Sequence, residues 1–121
     1  MSKRVLILDD DYSNAEALAL IMQEEGYEAL SIFSATDLFS TITAFNPHIL
    51  LLDIQLGQYD GRILCRELKH RTETKHLPIL LISAMLASQL TETNAEEDGI
   101  INKPFEIEEL VSMVERLLKF P

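Results

Sequence analysis

The sequence predicts an α/β fold, a five-stranded parallel sheet covered by helices on both faces, and three observations lead there. First, Val5-Leu6-Ile7-Leu8, Ile49-Leu50-Leu51-Leu52 and Ile79-Leu80-Leu81-Ile82 are short, unbroken apolar runs. Such runs bury both faces of a strand, as interior strands of a parallel sheet do. Second, segments with helical spacing separate the runs, and strand–helix alternation is the pattern of a parallel sheet. Third, each run gives way to a polar residue at its carboxyl end: Asp9-Asp10-Asp11, Asp53 and Ser83. Open α/β sheets bind ligands at that edge, and packing alone explains a carboxylate there poorly.

The elements follow in order. After the first strand, Ser13 and Glu16 have the spacing of a capping box, so the first helix is expected to start at Ser13. Ala15, Leu18, Ile21 and Met22 form its inner face, and Gly26 supplies the stop. A second strand over 29–33 is less uniformly apolar and belongs near an edge of the sheet. Ser34 and Asp37 are expected to cap a second helix with Leu38, Ile42 and Phe45 facing inward, and Asn46-Pro47 ends it. The strand 49–53 leads into a loop over 54–60 with Gly57, and Asp60-Gly61 caps and opens a third helix with Ile63, Leu64 and Leu68. Beyond the strand 79–83, Leu86 and Leu90 suggest a helix over 85–95 that Ser, Thr and Asn residues weaken. Ile100-Ile101 forms a short fifth strand before Asn102-Lys103-Pro104. The last helix has the clearest stripe, Ile107, Leu110, Val111, Val114, Leu117 and Leu118, with acids in its first turn and Arg116 and Lys119 near its end.

Composition narrows the function. Residues 1–121 read as one domain, long enough for a real core. Twenty acids against 10 bases give a net charge of −10, which argues against nonspecific binding to nucleic acid or an anionic membrane. No apolar run reaches the roughly 18 residues of a membrane span, and residues 5–8 are too few for a signal-peptide core. A single cysteine, Cys65, forms no internal disulfide and fits a reducing cytoplasm. Cys65 reads as half-buried packing, and His48, His70 and His76 as surface residues without metal-ligand spacing.

If the first and third strands are neighbours, Asp9, Asp10 and Asp53 converge. Neighbouring strands lie about 4.8 Å apart, and carboxylates so close repel one another. A hard divalent cation relieves that repulsion, and Mg²⁺ favours one or two carboxylates with waters and a phosphate. The cluster therefore suggests a Mg²⁺ site prepared for a phosphoryl group, with one carboxylate as nucleophile and Lys103 and Ser83 near the phosphoryl oxygens. Asp11 reads as a solvated loop residue.

The motifs Leu8-Asp9-Asp10-Asp11, Pro47-x-Ile49-Leu-Leu-Leu-Asp53, Asp60-Gly61, Leu81-Ile82-Ser83-Ala84 and Lys103-Pro104-Phe105 occur in register over nearly the whole chain. Each is weak alone; together the chain resembles a receiver domain of the two-component response regulators. The resemblance implies a flavodoxin-like (βα)5 three-layer sandwich with strand order 2-1-3-4-5, a common order among doubly wound sheets. It implies Asp53 as phosphoacceptor, Asp10 as a direct Mg²⁺ ligand, Asp9 acting largely through metal-bound water, and the backbone carbonyl of Gln55 as a further ligand. It also implies Ser83 as the hydroxyl that moves toward the phosphoryl group, Lys103 as its cation, and Ser83, Ala84 and Ile100 as a switch region. The implied partners are a sensor histidine kinase or histidine phosphotransfer protein and a downstream protein. The domain would catalyse its own phosphorylation and dephosphorylation without being a conventional enzyme.

The sequence departs from the family pattern in four places. Gly57 replaces a usual proline and should loosen its loop. Glu96-Glu97 replaces Gly-Ala, the stretch from Ser83 to Lys103 is short, and Ile100 replaces an aromatic switch residue. These leave the phosphoryl chemistry intact and bear on output, for which the response is expected mainly in 84–95. Gly57, Ile100 and the shortened stretch also favour an alternative, a phosphate-independent interaction module. A free-standing aspartate-nucleophile phosphohydrolase fits less well, because Asp9-Tyr12-Ser13 lacks that pattern. The last helix runs to the end of the chain, as in a single-domain regulator or a receiver taken from a longer protein.

Overall fold

The computed structural model describes residues 2–84 and 95–119. The main strands are β1 (Arg4–Leu8), β2 (Glu28–Ile32), β3 (Ile49–Asp53), β4 (Ile79–Ser83) and β5 (Gly99–Asn102). The helices are α1 (Tyr12–Glu24), α2 (Leu38–Phe45), α3 (Gly61–Lys69) and α4 (Ile107–Lys119). Numbered this way, the sheet runs β2-β1-β3-β4-β5, all parallel, as expected. The helix expected over 85–95 lies, but for Ala95, outside the described residues.

Strand alternation splits the core into two layers. Val5, Ile7, Ile49, Leu51, Leu80 and Ile82 point to one face and pack with Ala15, Leu18 and Met22 of α1 and Leu110, Val114 and Leu117 of α4. Leu6, Leu8, Leu50, Leu52, Ile79 and Leu81 point to the other and meet Leu38 of α2 and Leu64, Cys65 and Leu68 of α3. This is why the three runs carry no polar residue: neither face of those strands meets water. At the sheet's edge, β2 is only partly buried.

Helix ends correct several expectations. Asp11, not Ser13, caps α1: its backbone is extended and its Oδ1 accepts from the Asn14 N–H at 3.1 Å. Ser13 lies inside the helix, and Glu16 instead accepts from the Ser31 hydroxyl at 2.9 Å. Gly26, at φ +94°, closes α1 with Gly26 N–H to Gln23 O and Tyr27 N–H to Met22 O, the paired bonds of a Schellman motif. Ser34 caps a 3₁₀ turn over Ala35–Asp37, and α2 begins only at Leu38. Asn46 ends α2 in the left-handed region. Ile63 and Ile107 lie outside the core, 60% and 53% exposed. Cys65 is fully buried rather than half-buried, and burial pushes its thiol up to about 12.

The loop after β3 is tied by a two-residue antiparallel ladder, Gln55–Leu56 with Tyr59–Asp60. Gly57, at φ +62°, is the first of the two turn residues, where a II′ hairpin turn takes glycine.

Candidate functional site

The site is assembled by the register of the sheet. Leu8 pairs with Leu52, so Asp9 and Asp53 extend from adjacent strands. Asp53 pairs with Ile82 and Ser83 with Asn102, which sets Ser83 and Lys103 along the same edge. Asp9 is 1% exposed and Asp53 6%, while Asp10 is exposed. One carboxylate oxygen from each of the three lies within 4.8 Å of the others, the one such acidic cluster among the described residues. Unit charges so spaced repel by roughly 3 kcal/mol at an effective dielectric constant of about 20.

The carboxylates are unequally satisfied. Asp9 Oδ1 accepts from the Asp11 N–H at 2.9 Å, but buried Oδ2 accepts no hydrogen bond and has Lys103 Nζ at 3.5 Å. Asp53 Oδ1 accepts from the Gln55 N–H at 3.4 Å and lies 4.0 Å from Lys103 Nζ. Burial first, and the Asp9 charge second, push the Asp53 carboxyl up to about 6, against the pull of Lys103. The Lys103 N–H donates to Ser83 O at 2.7 Å, which joins the two residues through the main chain, and the following Lys103–Pro104 peptide is cis. Ser83 is fully buried, Ala84 is exposed, and Ile100 is half-buried against the α2/α3 layer.

Gly61 has a closer tie to Asp53 than its motif suggests. Its N–H donates to Ile54 O at 2.7 Å, and an added Cβ would stand 2.2 Å from Asp53 O. Only glycine permits this approach, so α3 packs directly on the backbone of the central aspartate. The reason is tertiary and has no signal in the sequence beyond the Asp60-Gly61 pair. Asp60 caps α3 as expected, accepting from Arg62 N–H at 2.9 Å and pairing with its guanidinium at 2.8 Å, which holds the carboxyl below its usual range.

Glu96, one of the departures from the family pattern, sits at φ +62°. That is the left-handed region, which a glycine enters without the Cβ penalty. Its carboxylate pairs with His70.

With this geometry in place, the comparisons assign the chain. The response regulator receiver domain model matches residues 5–115, and the chain belongs to that family. Response regulator MprA of Mycobacterium bovis is 31% identical over 98% of this chain and 52% of its own length. The chain thus spans about half the length of the curated relatives it matches. A crystal structure from Chloroflexus aurantiacus, assigned as a response regulator, superposes with a TM-score of 0.89 at 31% identity, covering 99% of this chain and 100% of that one. The receiver domain of a signal transduction histidine kinase from Syntrophus aciditrophicus gives a TM-score of 0.89 at 26% identity over 98% and 91%. The family resemblance and the fold are borne out. Receiver domains of response regulators work with histidine kinases and downstream effectors, and the acidic cluster is one that could hold a metal ion. No helix among the described residues is long and apolar enough to cross a membrane.

Proposed function

We propose that residues 1–121 act as one cytoplasmic phosphorylation switch, in which Asp53 accepts a phosphoryl group from a sensor histidine kinase or histidine phosphotransfer protein. The observation that carries this is the unequal satisfaction of the carboxylates: a buried Asp9 oxygen without a hydrogen bond beside an Asp53 whose pKa is raised. A hard-oxygen set with an unanswered negative charge fits Mg²⁺, held by Asp9, Asp10, Asp53 and the Gln55 carbonyl. When bound, Mg²⁺ supplies charge neutralisation for the carboxylates and the phosphoryl oxygens.

The chain's own residues do the rest. An Asp53 with its pKa about 6 is mostly ionised at neutral pH, so its oxygen has a lone pair to attack phosphorus. The new O–P bond forms as the N–P bond of the donor phosphohistidine breaks, and the imidazole leaves with the bonding pair. Lys103, within 4.0 Å of both Asp9 and Asp53, balances the charge on the phosphoryl oxygens. Ser83 presents its hydroxyl to the same group, and water later returns Asp53 to a carboxylate and releases phosphate. Ser83, Ala84 and Ile100 form the region through which a downstream protein senses the change, with Ile100 moving little because its β-branched side chain is stiff at χ1.

The test is intact-protein mass spectrometry after incubation with phosphoramidate and Mg²⁺. The wild-type chain should gain one phosphoryl mass and Asp53→Asn should not. A wild-type chain that stays unmodified would favour the phosphate-independent interaction module, which the aliphatic Ile100 suits.

A further inference from the structure

At the amino end of the sheet, His48 does something a surface histidine does not. Its backbone N–H donates to Arg4 O at 2.8 Å, while its ring Nδ1 accepts from the Arg4 N–H at 2.9 Å. One residue thus takes both the donor and the acceptor of Arg4 and fastens the start of β1 to the start of β3. The Arg4 guanidinium adds a second tie, donating from Nε to Asn46 O at 2.9 Å just after α2. An imidazole that accepts at Nδ1 carries its proton on Nε2 and is neutral, because a protonated ring has donors only.

We propose that His48 is a pH-operated fastener of the β1–β3 junction: protonation turns its accepting nitrogen into a donor aimed at the Arg4 N–H and opens that end of the sheet. The surroundings favour the neutral ring. His48 is half-buried, with Arg4 at the start of β1 and Lys3 just before it as its charged neighbours. Burial, then Arg4, then Lys3, lower its pKa from the ordinary histidine value. The other titratable groups around it are Glu28, opposite Arg4 on β2, and Glu73 and His76, which line the cavity shared by His48, Asn46 and Pro78.

A group whose pKa is lowered on folding leaves the unfolded chain holding more protons, so stability rises with pH. His48 therefore weakens the fold as pH falls below the ordinary histidine value of 6.5. The raised Asp53 carboxyl has the opposite trend at lower pH, so the measurement uses an Asp53→Asn background.

The experiment compares urea unfolding of the Asp53→Asn chain with Asp53→Asn/His48→Asn at pH 7.5 and 5.5. Asparagine keeps an acceptor oxygen near the Nδ1 position and cannot protonate. His70 and His76 are common to both chains and cancel. The expected result is a loss of stability at pH 5.5 that is smaller in the His48→Asn chain, with faster exchange of the Arg4 amide only where His48 remains. An equal loss in both chains overturns the proposal. Should the double variant not fold, the His48 ring is titrated by NMR in the Asp53→Asn chain: a midpoint below 6.5, accompanied by a change in the Arg4 amide, supports the proposal, and a midpoint at or above it overturns it.

Discussion

The two ends of the sheet are built to opposite rules. At the amino end, polar groups are answered. Arg4 is held by His48 and Asn46, and Asp98 Oδ2 accepts both from the Ile79 N–H at 2.8 Å and from Lys69 Nζ at 2.5 Å. Lys69 Nζ donates in turn to Leu77 O at 2.8 Å. At the carboxyl end, three acids crowd together, one buried oxygen accepts no hydrogen bond, and a single described cation, Lys103, stands 3.5 to 4.0 Å from two of them. The difference teaches where stability was given up: local rules are kept at the amino end and broken at the carboxyl end, where the proposed phosphoryl chemistry would take place.

The comparison can be broken at the amino end first. Asp98→Ala removes the acceptor for the Ile79 N–H and the partner of a Lys69 side chain that is 11% exposed. Leaving the Ile79 N–H without its acceptor and Lys69 with Leu77 O alone should cost about 2 kcal/mol, read by urea unfolding, with Mg²⁺ affinity unchanged. A cost below about 0.5 kcal/mol would show that water replaces this clasp.

At the other end, Asp11 and Asp10 should separate cleanly. Asp11→Ala loses the α1 cap and about 1 kcal/mol of stability while keeping Mg²⁺ binding. Asp10→Asn should do the reverse, since exposed Asp10 bears little on the fold and completes the acidic cluster. Calorimetric Mg²⁺ titration beside thermal unfolding checks both; equal loss of metal binding in the two would misplace the cluster.

The smallest effect sharpens the contrast. Glu96 holds a left-handed backbone that glycine adopts freely, so Glu96→Gly relieves strain, partly offset by a more flexible unfolded chain and the lost pair with His70. A net gain of about 0.5 kcal/mol is expected by thermal unfolding, and a clear loss would mean that the pair outweighs the strain.

The sequence reveals unevenly what these two ends contain. The three apolar runs are legible because full burial on both faces leaves no room for polar residues, and the acids are legible because they end those runs. Cap identity is not: Asp11 and Ser13 both carry a suitable oxygen, and the extended backbone of Asp11 decides. Nor are Ile63 and Ile107, whose helical spacing fits a stripe but whose faces the fold leaves in solvent. Contacts distant in sequence, such as Lys69 with Asp98, Arg4 with His48, or Gly61 against Asp53 O, depend on packing that no local pattern records.

The central claim, that the carboxyl end holds its charges at a cost a cation relieves, rests most directly on Asp53. With its pKa raised from 3.8 to about 6, the folded state binds the Asp53 proton more tightly than the unfolded state. Stability is then fully present below about pH 4 and is lost as pH rises through about 6. At pH 7.5 without divalent cations, Asp53→Asn should be more stable than wild type by about 1–3 kcal/mol. Adding Mg²⁺ should stabilise wild type far more than the variant and narrow or reverse the gap. The measurement is urea unfolding of both chains with and without Mg²⁺. A variant less stable than wild type without the cation, or equal stabilisation of both by Mg²⁺, would contradict the account.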